Sequence, residues 1–272
     1  MPDTPDLILE PDALEAMLGN PDLLIVDLCQ PQNWRQLHVP GALHINPSEL
    51  VSGLPPASGM LPPLGQLRAL FARIGYTPAK HIVAYDDEGG GWAGRFIWTC
   101  AAIGHRHSSY LNGGLHAWYR EQHPVTAEVV PVTPTAVDIA LDKSVIADLE
   151  TVRAALGNPA IRIWDARSRE EYLGLRATAL RNGHIPGAVN LDWLEVMDTT
   201  RNLRLLPFDV LQQKLASIGI EPGHEIITHC YSHHRSGLTW LVAKALGYAA
   251  RGYHGSWSEW GNRDDTPIES MA

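Results

Sequence analysis

The chain has 272 residues, 45% of them apolar and 19% charged, which is enough for two domains that each bury a core of their own. A formal net charge of -9 without any basic run argues against a nucleic-acid partner and against an anionic membrane surface, and no apolar stretch approaches the roughly 20 residues that span a bilayer. Three cysteines, odd in number and far apart, make neither a disulfide framework nor a paired-cysteine zinc site.

The first residues, Met1-Pro2-Asp3-Thr4-Pro5-Asp6, are acidic and lack the basic start and apolar core of an export signal, so a cytoplasmic location is expected. Leu23-Leu24-Ile25-Val26-Asp27 is a short apolar run ending in an acid, the form of a buried parallel strand. A helical turn around Trp34 leads into the bend Val39-Pro40-Gly41-Ala42, and Leu43-His44-Ile45 is the next strand. Residues 64–75 space their apolar positions three and four apart and stop on Gly75, which predicts a helix. His81-Ile82-Val83-Ala84-Tyr85 is a strand, an acidic Gly-rich loop follows it, and residues 96–104 have helical spacing. Strand alternates with helix, which predicts a parallel α/β sheet with ligands at the C-terminal ends of its strands. Asp86, Asp87 and Glu88 in that loop are read as solvated rather than as a metal site, and Cys29 and Cys100 as inert core residues.

A Pro-, Thr- and Val-rich connector covers 126–141, and then the order of events repeats. Ile161-Arg162-Ile163-Trp164-Asp165 matches the strand ending at Asp27. Gly183-His184-Ile185-Pro186-Gly187-Ala188 matches Leu37-His38-Val39-Pro40-Gly41-Ala42, and the helix over 207–219 matches the one ending at Gly75. Gly255-Ser256-Trp257-Ser258-Glu259-Trp260 matches Gly113-Gly114-Leu115-His116-Ala117-Trp118. The offsets, 138, 146, 144 and 142 residues, describe an internal duplication with domains over 1–125 and 142–272. Trp257 and Trp260 are read as domain-interface core.

The stretch with the most chemistry is His229-Cys230-Tyr231-Ser232-His233-His234-Arg235-Ser236-Gly237. It follows the apolar run Glu225-Ile226-Ile227-Thr228 and precedes the helical spacing of 238–247, so Cys230 sits at a strand-to-helix turn. There the free N–H groups and the dipole of the helix favour a thiolate, and Arg235 adds a fixed cation. The turn is a cradle for an anion bonded to sulfur. Four residues separate Cys230 from Arg235, whereas cysteine phosphatases place five between cysteine and arginine, a wider ring that fits phosphate. Under the duplication, the position matching Cys230 in the first half is Asp86, which cannot carry a transferable sulfur.

The six-residue loop, with Asp165-Ala166-Arg167, Glu171-Tyr172, Gly183-His184-Ile185-Pro186-Gly187-Ala188 and Tyr253-His254-Gly255-Ser256-Trp257-Ser258-Glu259-Trp260-Gly261, resembles the two-domain rhodanese-like sulfurtransferases. The resemblance implies two tandem rhodanese-like domains, each a mostly parallel sheet flanked by helices, the first non-catalytic. It implies Cys230 as the sulfur-carrying nucleophile and Arg235 as the closing arginine. Arg167 matches a family arginine facing the substrate anion, and Arg181 or Arg176 supplies a second substrate cation, spacing not separating the two. Asp165 orients the loop or an arginine, or caps nearby N–H groups.

The resemblance implies thiosulfate or 3-mercaptopyruvate as the donor, lined by Tyr231, Ser232, His233 and His234; these loop residues fit neither donor's pattern and do not choose between the two. Cyanide or a thiol is the acceptor, and no cofactor or metal is required. The competing readings are zinc held by His229, Cys230, His233 and His234, a cysteine phosphatase, and a non-enzymatic persulfide-carrying or regulatory binding module.

Overall fold

The computed structural model describes residues 7–270; the stretch 1–6, on which the absence of an export signal was read, lies outside them. Two compact units are present. The first contains residues up to 50, 62–142 and 198–205, and the second 51–61, 143–197 and those from 206 onward. The division at 1–125 and 142–272 therefore misses two exchanged segments. The stretch 126–141 is not a free connector either, since Thr126 bridges to His38 and the Thr135 N–H and hydroxyl donate to the carbonyls of Ala72 and Tyr76 within the first unit.

The first unit runs β1 (Ile8–Leu9), α1 (Pro11–Met17), β2 (Leu23–Asp27), α2 (Pro31–Gln36), β3 (Leu43–His44), α3 (Leu64–Arg73), β4 (His81–Tyr85), α4 (Gly91–Ala102), β5 (Ser108–Leu111) and α5 (Gly114–Arg120). Its strands pair in the order β1-β5-β4-β2-β3, all parallel. Helices on a parallel sheet cover both faces, which is why β2 and β4 are near-continuous apolar runs and every residue of β4 is buried. Helix α3 turns Leu67, Leu70 and Phe71 inward, as its three- and four-residue spacing requires. Helix α4 begins at Gly91, five residues before the expected start, because the Gly-rich loop is its first turn.

The second unit repeats the plan with β6 (Ile146–Ala147), α6 (Leu149–Ala155), β7 (Ile161–Asp165), α7 (Arg169–Leu173) and β8 (Val189–Asn190). The chain then forms the small two-stranded sheet of β9 (Met197–Asp198) and β10 (Arg204–Leu205), whose residues 198–205 belong to the first unit, and the second unit resumes with α8 (Phe208–Ser217), β11 (Glu225–His229), α9 (Arg235–Ala245), β12 (Ala249–Tyr253) and α10 (Ser256–Trp260). The strand order β6-β12-β11-β7-β8 is the same and again wholly parallel. Trp257 and Trp260 are fully buried in this unit's own core with Ile163, Ile185, Ile227 and Tyr253. The central strand β11 ends at His229, whose register partner on β7 is Asp165. Cys230 thus leaves the C-terminal edge of the sheet, where open α/β sheets hold their ligands.

Candidate active site

The chain leaves β11 at His229 and enters α9 at Arg235, so residues 230–234 form the turn. His233 holds it in a left-handed backbone, φ 57°, where the first unit has Gly89 at φ 100°. A side chain at such an angle is strained, and His233 is fully buried with Nδ1 2.7 Å from the Ser236 hydroxyl. The start of α10 props the loop from below: the Trp257 and Ser258 N–H groups donate to the carbonyls of Cys230 and Tyr231 at 3.0 and 2.8 Å, and the Cys230 N–H donates to Ser256 Oγ at 3.4 Å. From the exchanged segment, Gly59 lies against Ser232, and Leu61 N–H donates to His254 Nδ1 at 3.1 Å.

Cys230 is 1% exposed. Burial alone would push its thiol up, but Arg235, the hydroxyl and N–H of Ser236, and His234 outweigh it and hold the thiol below its usual value. Cys29 and Cys100 are buried without such partners, and burial pushes both thiols up. Only one cysteine is poised to react.

Arg235 meets a carboxylate. Its Nη1 donates to Glu171 Oε2 at 2.6 Å and its Nη2 to Glu171 Oε1 at 3.0 Å, a two-pronged pair with Glu171 nearly buried. Burial favours the neutral acid, but Arg235 and the Ser168 N–H hold the Glu171 carboxyl below its ordinary range. Glu171 is fixed by a capping box at the start of α7, Ser168 Oγ accepting the Glu171 N–H and Glu171 accepting the Ser168 N–H. Glu171 and Arg235 line a cavity of about 410 Å³ with Arg176, Thr178 and Tyr231. Arg176 is exposed at its edge, and the buried Thr178 hydroxyl has no hydrogen-bond partner.

Two of the expected substrate cations point elsewhere. Arg167 is fully buried: its Nε donates to both Asp165 oxygens at 2.9 and 3.0 Å, its Nη2 to Asp165 at 2.5 Å and to the Gly183 carbonyl at 2.8 Å, and its guanidinium lies 4.3 Å from the centre of the Trp257 ring. An ion pair with its own strand end and an aromatic face pull it inward, so Asp165 orients Arg167. Arg181 donates to the carbonyls of Thr266 and Trp260 at 2.8 and 3.3 Å and pins the C-terminal segment. Between Arg176 and Arg181, the cavity holds Arg176.

Within the loop, Tyr231 lines the cavity and packs on the second core. Ser232 is covered on one side by Gly59, His233 is turned under the loop toward Ser236, and His234 lies 5.8 Å from the Trp193 ring. The His229 ring has Nε2 3.5 Å from Asp165 and Nδ1 3.2 Å from the Cys230 carbonyl. Among the described residues, no group of three His, Cys, Asp or Glu side chains converges on a metal position. Glu171 was missed as Arg235's partner; the local signal for its fixed position was the Ser168 to Glu171 capping spacing.

In the first unit the same cradle is filled by the chain itself. Asp86 is fully buried and its carboxylate accepts from the N–H groups of Glu88, Gly90 and Ala93 at 3.1, 2.8 and 2.9 Å, while its carbonyl accepts from Leu115 as that of Cys230 does from Trp257. Asp86 is therefore an internal anion, not a solvated one. Burial and the charge of Glu88 push it up to about 6 against those bonds.

The sequence model of the rhodanese-like domain matches residues 10–121 and again 148–263. The chain is 46% identical over 264 residues to a thiosulfate sulfurtransferase of Azotobacter vinelandii and to one of Pseudomonas aeruginosa, with 97% of both chains covered in each case. It superimposes on the crystal structure of SseA from Escherichia coli, described as a 3-mercaptopyruvate sulfotransferase with the rhodanese fold, with a TM-score of 0.82 at 25% identity, covering 93% of this chain and 99% of that one. Because the domain match recurs in both halves and the full-length relatives align nearly end to end, the chain belongs to the two-domain rhodanese-like sulfurtransferases.

Proposed function

We propose that the chain is a thiosulfate sulfurtransferase in which Cys230 carries the sulfur. The observation that carries this reading is the placement of Cys230 at the entry to α9 with Arg235 beside it, which favours the thiolate the reaction needs. The Cys230 thiolate attacks the outer, sulfane sulfur of thiosulfate. A new S–S bond forms, the S–S bond of the donor breaks, and sulfite leaves with the electron pair. The persulfide anion then lies over the N–H groups of the turn. Cyanide, or a thiol in the cell, attacks the outer sulfur, takes it away and returns Cys230 as thiolate. The two half-reactions predict ping-pong kinetics. Arg176 meets the donor anion at the cavity edge, Arg235 adds its charge beside the sulfur while Glu171 holds it in place, Tyr231 walls the cavity, and Ser232, His233 and His234 shape the loop around the sulfur.

The unpaired state of all three cysteines supports a reducing compartment, and so the cytoplasm, as the place of action. No helix among the described residues is long and apolar enough to cross a membrane. Thiocyanate formation from thiosulfate and cyanide by the purified chain, with Cys230→Ser as control, tests the proposal. Turnover that vanishes in the variant is expected; equal rates in both, or none in folded protein with a free Cys230 thiol, would overturn it.

A further inference from the structure

We infer that Glu171 selects the donor: its carboxylate already occupies the two-pronged end of Arg235 in the cavity, which leaves thiosulfate accommodated and an α-keto carboxylate donor without a guanidinium fork to hold it. The inference rests on the proposed sulfur transfer at Cys230 and adds the chemical class of donor that the pocket accepts. Three observations carry it. Arg235 gives both terminal nitrogens to Glu171 at 2.6 and 3.0 Å. Both residues line the same cavity of about 410 Å³, which Tyr231, the residue after Cys230, also lines. Glu171 is held by its capping box with Ser168, so it cannot simply turn aside.

The two donor classes differ in where their charge sits. In thiosulfate the charged oxygens are on the sulfur bonded directly to the one attacked, so the whole ion fits over the loop N–H groups. In a β-mercapto α-keto acid the carboxylate carbon is two bonds beyond the carbon that bears the sulfur, with the keto carbon between, and the carboxylate must reach into the cavity. A planar carboxylate is best held end-on by a guanidinium, and the guanidinium nearest the loop is already held that way by a carboxylate of the chain. A second carboxylate there meets a like charge in a partly desolvated cavity. Arg176, at the exposed edge, and the unpartnered Thr178 hydroxyl remain for a donor's oxygens, but with single contacts rather than a fork. Specificity of this form comes from a repulsive element rather than from an added attraction.

The test uses the full chain and Glu171→Gln, which preserves the cap because glutamine also completes a capping box. Thiosulfate and 3-mercaptopyruvate are compared as donors with cyanide, and pyruvate, a carboxylate without transferable sulfur, is titrated as an inhibitor against thiosulfate. The expected result is a shift of the kcat/KM ratio toward 3-mercaptopyruvate by about tenfold or more, with pyruvate inhibiting the variant at concentrations about tenfold lower than the parent. An unchanged ratio with unchanged pyruvate inhibition, in a variant that unfolds at the parent's temperature, overturns the inference, as does an equal loss with both donors. If the parent transfers no sulfur from either donor, the functional reading fails by itself, and calorimetric titration of pyruvate into parent and Glu171→Gln decides whether Glu171 blocks carboxylates.

Discussion

Gly59 approaches Ser232 so closely that a Cβ placed on it would come within 2.2 Å of the Ser232 carbonyl oxygen. A segment far from the cysteine in sequence is therefore pressed against the backbone of the sulfur-carrying turn. Gly59→Ala must push the turn or the segment aside, an overpacking change that costs about 1–3 kcal/mol. The expected outcome is a chain that still folds, with kcat/KM for thiosulfate reduced by about tenfold or more because the N–H cradle is displaced. Steady-state kinetics beside a thermal melt check it, and unaltered kinetics would show that the contact does not position the loop.

Arg167 and Asp165 form a fully buried pair, which predicts a structural effect where a substrate-facing arginine would give a kinetic one. Arg167→Ala strands the Asp165 carboxylate in the core, a loss of about 3–5 kcal/mol by the usual cost of breaking a buried pair. Denaturant unfolding should show that loss. At a temperature where the variant remains folded, the KM for thiosulfate should change by less than about threefold.

The Cys230 thiol is held low against the effect of burial, with Arg235 the strongest of the groups that lower it. Removing that cation in Arg235→Ala disfavours the thiolate, so the midpoint of Cys230 alkylation against pH moves upward. The acid side of the pH profile for sulfur loading moves with it, and activity at neutral pH falls by about tenfold or more. Alkylation by iodoacetamide, followed by mass spectrometry, reads the midpoint directly. A midpoint that stays in place would remove Arg235 from the account of the thiolate.

His81 on β4 is buried with Nε2 2.8 Å from the Ser109 hydroxyl, and its ring centre lies 5.0 Å from that of His107. Burial first, then the neighbouring His107 and His105, push it down to about 4 from 6.5. A histidine whose folded value is depressed takes its proton in the unfolded chain first. Stability is therefore fully present above about 6.5 and falls as the pH drops from there toward 4. His81→Gln should remove that loss of unfolding free energy, which is on the order of 3 kcal/mol across the window. Urea melts at a series of pH values provide the measurement.

Much of this was legible in the sequence because the signals are local. The repeated strand-bend-strand motifs identified both sheets, and the spacing from Cys230 to Arg235 identified the turn. Asp86 at the matching position was equally plain, although its burial was not, because three N–H groups that the Gly-rich loop folds around it satisfy its charge. What escaped depends on distant partners. Arg235 and Glu171 are 64 residues apart, and nothing in either segment announces the pair. The inward turn of Arg167 is decided by Asp165 together with the ring of Trp257, which arrives from α10. Residues 51–61, rich in Pro and Gly, have no periodicity that would assign them to the second unit.

The central claim is that Cys230 holds the sulfur in transit, and the intact mass of the chain after exposure to thiosulfate alone tests it most directly. The account predicts one added sulfur atom, located on Cys230 by peptide mapping, absent in Cys230→Ser and removed by cyanide with release of thiocyanate. A folded chain with a free Cys230 thiol that gains no sulfur, or that gains it equally in Cys230→Ser, would contradict the account.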